Sequence, residues 1–229
     1  MAAHPEALVP TTGLNVLHLF LKPAGVVDLD ALRGAISAFE AEGGQVVAAS
    51  ILGHKADACL MILDKDVWAL RRLQSAVEES GLGVVDSFVS LTEVSEYSKS
   101  MPSEVLSNRL YPTLPPEGLR SFCFYPMTKR RGEKHNWYSL DFDARKSLMM
   151  GHGKSGREFS GRILQVITGS TGLDDWEWGV TLFGAHPDDL KDVVYTMRFD
   201  EASTLFAEFG PFYTGAVGSL DEVFGSLAR

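Results

Sequence analysis

The residues of this chain best suited to chemistry lie between Tyr125 and Asp175, and His152 is the first of them. It follows Leu148 by four positions and Met149 by three, so on a helix the three share a face and an imidazole sits in an apolar stripe. Two readings stand side by side: a core histidine satisfied by a backbone carbonyl, or a metal ligand. Gly151, Gly153 and Gly156 flank it; they either let a flat ligand approach closely or end the helix. The chain has no Cys-x-x-Cys, His-x-x-x-His or His-Glu-x-x-His pattern, which disfavours a four-ligand metal site. One histidine among glycines and apolar residues suits haem better than zinc.

Tyr125 and Lys129, beside Arg130 and Arg131, are four apart and share a face if the segment is a strand. Side by side, a phenol and an ammonium could bind carboxylates and ease oxidation of the phenol; the alternative is a solvated basic edge. Gly153-Lys154-Ser155 resembles the end of a phosphate loop, but the pattern requires glycine at position 148, which is leucine. In Asp174-Asp175-Trp176-Glu177-Trp178, strand alternation puts the two indoles on one face and Glu177 on the other, which ordinary strand packing would also explain.

These residues need a scaffold, and 229 of them suffice for one large domain or two smaller ones. A net charge of −9 argues against a nucleic-acid surface. Cys59 and Cys123 are the only cysteines, which fits a reducing cytoplasm rather than a disulfide framework. Neither an export signal nor an apolar run of membrane-spanning length is found, so no membrane span is expected.

After a loose start over 1–12, the apolar run 14–21, ended by Pro23, reads as a buried strand. A helix over 28–42 carries Leu32, Ile36 and Phe39 on one face and closes at Gly43-Gly44. Strands over 45–52 and 58–63 form a hairpin, a second helix over 64–80 lines up Val67, Leu70, Leu73 and Val77, and a strand covers 83–91. The order is β-α-β-β-α-β, the ferredoxin-like arrangement. A proline-rich connector over 98–118 wraps the surface. The pattern then repeats: strand 120–129, helix 141–150, strands 161–168 and 176–183, helix 187–196 and strand 212–216, with a loop-helix segment over 198–210. The fold class expected is α+β, with an N-terminal ferredoxin-like domain (1–97, for assembly), a connector (98–119) and a C-terminal one (120–229, carrying the site).

Tyr125-Pro126-Met127-Thr128-Lys129, Asn136-Trp137-Tyr138, Met149-Met150-Gly151-His152-Gly153 and Arg198-Phe199-Asp200-Glu201-Ala202-Ser203 resemble the chlorite dismutase-like haem proteins, and within them the coproheme decarboxylases. The likeness is strongest from about 122 to 215. It implies tandem ferredoxin-like domains forming a dimeric α+β barrel, often assembled as homopentamers. It further implies His152 as proximal iron ligand, Tyr125 as the redox-active catalytic residue and Lys129 as its partner at a second propionate. By the same resemblance Arg198 and Ser203 contact propionates, while Met127 and Trp137 line the macrocycle. Glu201 corresponds, by the same resemblance, to the carboxylate that orients the proximal imidazole in the dismutases. Where the dismutases carry a distal arginine, this chain has Gln165; a neutral amide cannot hold an oxychlorine anion as a guanidinium does. The implied reaction is oxidation by hydrogen peroxide of two propionates of iron coproporphyrin III (coproheme) to vinyls, giving haem b, with a ferrochelatase supplying the substrate. The alternatives within the resemblance are a peroxidase or chlorite dismutase, and a non-catalytic haem carrier that would not need Tyr125 and Lys129.

Overall fold

The computed structural model describes residues 5–228; Met1 to His4, part of the loose start, and Arg229 lie outside the described residues. The elements are β1 (Asn15–Pro23), α1 (Leu29–Ala41), β2 (Gln45–Ile51), β3 (Ala58–Asp64), α2 (Val67–Glu79), β4 (Leu82–Thr92) and α3 (Ser103–Leu110). They continue as β5 (Ser121–Lys129), α4 (Phe142–Arg157), β6 (Ile163–Gly169), β7 (Trp178–Gly184), α5 (Pro187–Met197), α6 (Glu201–Phe206), β8 (Ala207–Phe209), β9 (Tyr213–Val217) and α7 (Leu220–Phe224). Aspartates start four helices: Asp28, Asp66, Asp141 and Asp200 each accept a backbone N–H of the first turn. Each such cap contributes about 1 kcal/mol by satisfying a donor that the helix cannot.

The first half pairs its strands in the order β4-β1-β3-β2 and the second repeats this as β6-β7-β5-β9, all antiparallel. The two sheets then join edge to edge, β4 to β6 through two residue pairs and β2 to β9 through three. The result is a closed eight-stranded barrel, with β8 extending β9 along β5. At the β2–β9 junction a Cβ on Gly215 would lie 1.8 Å from the Ser50 carbonyl oxygen, so only glycine allows that approach.

Strand alternation sorts the core into three parts. Val16, Phe20, Phe88, Phe122, Phe124 and Phe183 point into the barrel. Leu17, Leu19 and Leu21 point outward from β1 and are covered by α1, α2 and α7. Cys123, Tyr125, Val180 and Leu182 point outward from the second half, toward Leu190 and Val193 of α5. His18, an inward residue of β1, reaches across to β7, where its Nε2 lies 3.0 Å from Thr181 Oγ1.

Four expectations change. The connector contains a helix, α3, and is pinned to the first half by Gln45, which bonds both Pro112 and Leu114. α4 runs to Arg157, through the glycines rather than ending at them. Val67, at the first turn of α2, is exposed instead of joining the apolar face. Trp176 and Trp178 do not share a strand face: Ser170 bonds to the backbone of both Trp176 and Glu177, the chain is still turning there, and β7 begins only at Trp178. Trp176 therefore packs against the barrel interior.

Candidate functional site

The outer face of the second sheet and α4 form the two walls of a cleft. On the sheet wall, register places Tyr125 opposite Val180 and Val180 opposite Ile167; the next row joins Cys123, Leu182 and Gln165. Gln165, half-buried, thus shares a face with Tyr125 and Met127. Tyr125 is stacked on Phe212 at 4.5 Å between ring centroids and meets Phe209 edge-on at 5.6 Å. Its hydroxyl makes no hydrogen bond among the described residues. Burial raises the phenol pKa, helped by Cys123 and opposed by the nearby Arg198 charge, so the phenol is neutral at ordinary pH.

α4 has no fully buried residue and packs chiefly on α5, α6 and the turn at Glu96–Ser98, so it stands off the sheet. Leu148, Met149 and His152 are half-buried along it, and Ile167 is exposed on the sheet wall. A Cβ on Gly151 would meet nothing, and one on Gly153 only the tip of Arg157. Helix packing therefore does not require these glycines, although each costs about 1 kcal/mol in a helix relative to alanine.

His152 is held from one side. Its Nδ1 lies 3.0 Å from Asp200 Oδ2, and the same carboxylate accepts Ser203 Oγ–H at 2.9 Å and Ser203 N–H at 3.0 Å. A carboxylate only accepts, so Nδ1 carries the proton and the neutral ring's lone pair is left on Nε2. Desolvation pushes the Asp200 carboxyl up, but the hydrogen bonds from His152 and Ser203 outweigh it and leave it below the usual carboxylate range. Asp200, which also caps α6, is the carboxylate at the imidazole; Glu201, one residue later, is exposed. Ser203 is buried and its hydroxyl is committed to Asp200.

Lys129 and Tyr125 do share a strand face, but four residues at about 3.3 Å each separate them by roughly 13 Å, so they are not side by side. Lys129 belongs with the His152 group. Its Nζ donates to Ala202 O in α6 at 3.2 Å and lies 4.4 Å from the ring centroid of buried Trp137, whose other contacts include Phe206. Its backbone N–H donates to the buried Glu177 at 2.8 Å. Burial pushes the ammonium down to about 8, against upward pulls from Asp200 and Glu177. Arg198 caps the end of α5 with its guanidinium 5.3 Å from the Phe209 ring, and it forms no ion pair among the described residues.

A cleft with an apolar and glycine-lined wall, one imidazole held through Nδ1 and two cations that form no ion pair among the described residues fits a flat, anionic metalloporphyrin. The fold defines the class, a dimeric α+β barrel protein. The chain belongs to the chlorite dismutase family, whose model matches residues 28–218. A coproheme decarboxylase of Thermus thermophilus is 42% identical over 182 residues, 77% of this chain and 72% of that one. A solved structure described as a haem-binding protein from the same species superposes with a TM-score of 0.85 at 34% identity, covering 99% of this chain and all of the other. A longer protein of Natronomonas pharaonis, whose name ascribes haem binding to it, is 43% identical over 202 residues; this chain spans 33% of its length.

Asp200→Asn should loosen the His152 ring without unfolding the barrel, since asparagine still caps α6 but no longer offers a charged acceptor to His152. The expected result is about tenfold weaker haem binding, read from the Soret titration, with an unchanged far-UV spectrum.

Proposed function

We propose that this protein catalyses the peroxide-dependent decarboxylation of two propionates of coproheme to vinyl groups, yielding haem b. The observation that carries the reading is the phenol of Tyr125, which makes no hydrogen bond among the described residues, in the same half of the barrel as an imidazole held through Nδ1 with no hydrogen-bond partner at Nε2 among the described residues. The likeness to coproheme decarboxylase over most of the chain supports it. Each round converts one propionic acid and one peroxide to a vinyl, CO2 and two waters, so the substrate loses two electrons and peroxide gains them. When bound, the iron supplies the reaction with peroxide.

The chain's own residues do the rest. His152 Nε2 would hold the iron, with Asp200 and Ser203 fixing the ring's orientation. Tyr125 gives up an electron and its phenolic proton, then recovers a hydrogen from the propionate that is oxidised. Lys129 and Arg198 offer positive charge to propionates in a chain of net charge −9. Met127 and Trp137 bound the macrocycle, and neutral Gln165 leaves the distal side without a fixed cation. Assembly as a homopentamer, transient contact with the ferrochelatase that supplies coproheme, and a reducing cytoplasm, which suits the two buried free thiols, belong to the same proposal.

Mixing the protein anaerobically with ferric coproporphyrin III and titrating in peroxide tests this by porphyrin mass. Two successive losses of CO2 plus two hydrogens, at about one peroxide each, are expected. Coproheme that binds and stays intact or bleaches would overturn the enzyme reading in favour of a carrier or peroxidase.

The pH dependence provides a separate check on Lys129. Its ammonium is charged below about 8 and loses its proton above that value, so its attraction for a propionate is present at lower pH and fades as pH rises through 8. Coproheme affinity should fall about tenfold between about pH 7 and pH 9 in the native protein and stay nearly flat in Lys129→Met.

A further inference from the structure

β5 ends on Lys129, beyond the reach of the β7 backbone. Met127 lies opposite Trp178, so the same register would bring Trp176 to Lys129. Trp176 has turned away: Ser170 Oγ donates to its carbonyl, and its ring packs against the barrel interior. The side chain of Glu177 takes that place. Its Oε2 accepts the Lys129 N–H at 2.8 Å while its own N–H donates to Met127 O at 3.1 Å, so one residue grips β5 at two points.

Glu177 is only 6% exposed. Arg131, whose Nη2 lies 3.9 Å from its Oε1, surrounds it together with Asn136, Tyr138 and Thr171. Burial alone would raise its pKa, but the Lys129 N–H, the Tyr138 hydroxyl and the Arg131 charge outweigh this and hold the carboxyl below the usual range. The buried side chain is therefore an anion. A neutral amide would hold a backbone N–H equally well without the cost of burying a charge, so the charge itself calls for a recipient.

Lys129 is that recipient. It forms no ion pair among the described residues; its Nζ bonds Ala202 O and rests over the Trp137 ring. The charges that bear on it are Asp200 at the start of α6 and Glu177 ahead of β7. Arg131 and Tyr138 act on Glu177, and Arg130 is paired with Glu208 of β8. Resting on the reading of the cleft as a propionate site, we infer that Glu177 is a positioning residue: it fixes Lys129 at the end of β5 and holds its ammonium in the charged form that meets a propionate.

Zinc coproporphyrin III is the probe, because it carries the four carboxylates of coproheme on a metal that is not redox-active. Its affinity for the full chain is read from porphyrin fluorescence between about pH 6 and pH 9. The native curve should fall through about 8. Glu177→Gln keeps an acceptor for the Lys129 N–H and loses the charge. It should bind as tightly as the native protein at about pH 6 and about threefold more weakly at about pH 8, because its fall comes earlier. In a Lys129→Met background the same change should make no difference between the two pH values. Arg131→Gln, at an exposed side chain, should move the fall above 8. An equal loss at both pH values would reduce Glu177 to a structural carboxylate, and superimposable native and Glu177→Gln curves would remove it from the site. Either result overturns the inference and leaves Lys129 in place, whereas a native curve that Lys129→Met does not flatten overturns the Lys129 reading as well.

Discussion

Tyr125→Phe should bind ferric coproporphyrin III as tightly as the native protein and release no decarboxylated product. The ring of Tyr125 is what the fold uses: it stacks on Phe212 and meets Phe209, and phenylalanine keeps both contacts. The hydroxyl has no hydrogen-bond partner among the described residues, so its removal should leave stability within about 1 kcal/mol of native or raise it slightly. Only the redox-active oxygen is lost. Turnover, measured as vinyl product per peroxide, should fall by about three orders of magnitude or more, while the Soret titration stays superimposable. Product formation at a tenth of the native rate would remove Tyr125 from the proposed reaction. Weakened binding at normal turnover would make it a wall of the cleft and nothing more.

The second large effect concerns acid. Burial holds the His18 imidazole down from 6.5 to about 3, so it is neutral in the folded barrel. The unfolded chain takes up a proton on this residue below about 6.5 and the folded chain does not until about 3; unfolding therefore binds protons in that window. Its contribution to stability is complete above 6.5 and is lost as pH falls toward 3, by an amount on the order of 5 kcal/mol. His18→Gln keeps a polar group for Thr181 and cannot titrate. Urea midpoints measured from neutral pH down to about pH 4 should fall steeply in the native protein and less steeply in the variant. Parallel slopes would mean that His18 does not remain neutral in the folded state.

Much of the barrel was legible because its signals are local. Leu32, Ile36 and Phe39 mark α1 by spacing alone, and the repeated element order announces two ferredoxin-like halves. The misses have physical causes. Gly151, Gly153 and Gly156 read as a helix end, yet α4 continues through them because a propensity cost is not a stop. The two indoles at 176 and 178 obey alternation only if the strand has begun, and the turn from Ser170 delays it. Asp200 escaped the sequence reading, which pointed to Glu201, because its bond to His152 joins residues 48 positions apart and no local rule supplies that. Lys129 was grouped with Tyr125 by shared strand face; which end of the strand meets which helix is set by α6, a six-residue element too short for periodicity to declare.

β5 imposes a constraint of length rather than of composition. Its successive residues alternate between two compartments, Phe124 and Pro126 toward the barrel and Tyr125 and Met127 toward the cleft. Substitutions can adjust either compartment on its own. One residue inserted or deleted between Ser121 and Tyr125 would carry the phenol inside the barrel and a barrel phenylalanine out to the cleft in the same stroke. The two compartments can diverge in chemistry, while the spacing of this nine-residue strand is common to both.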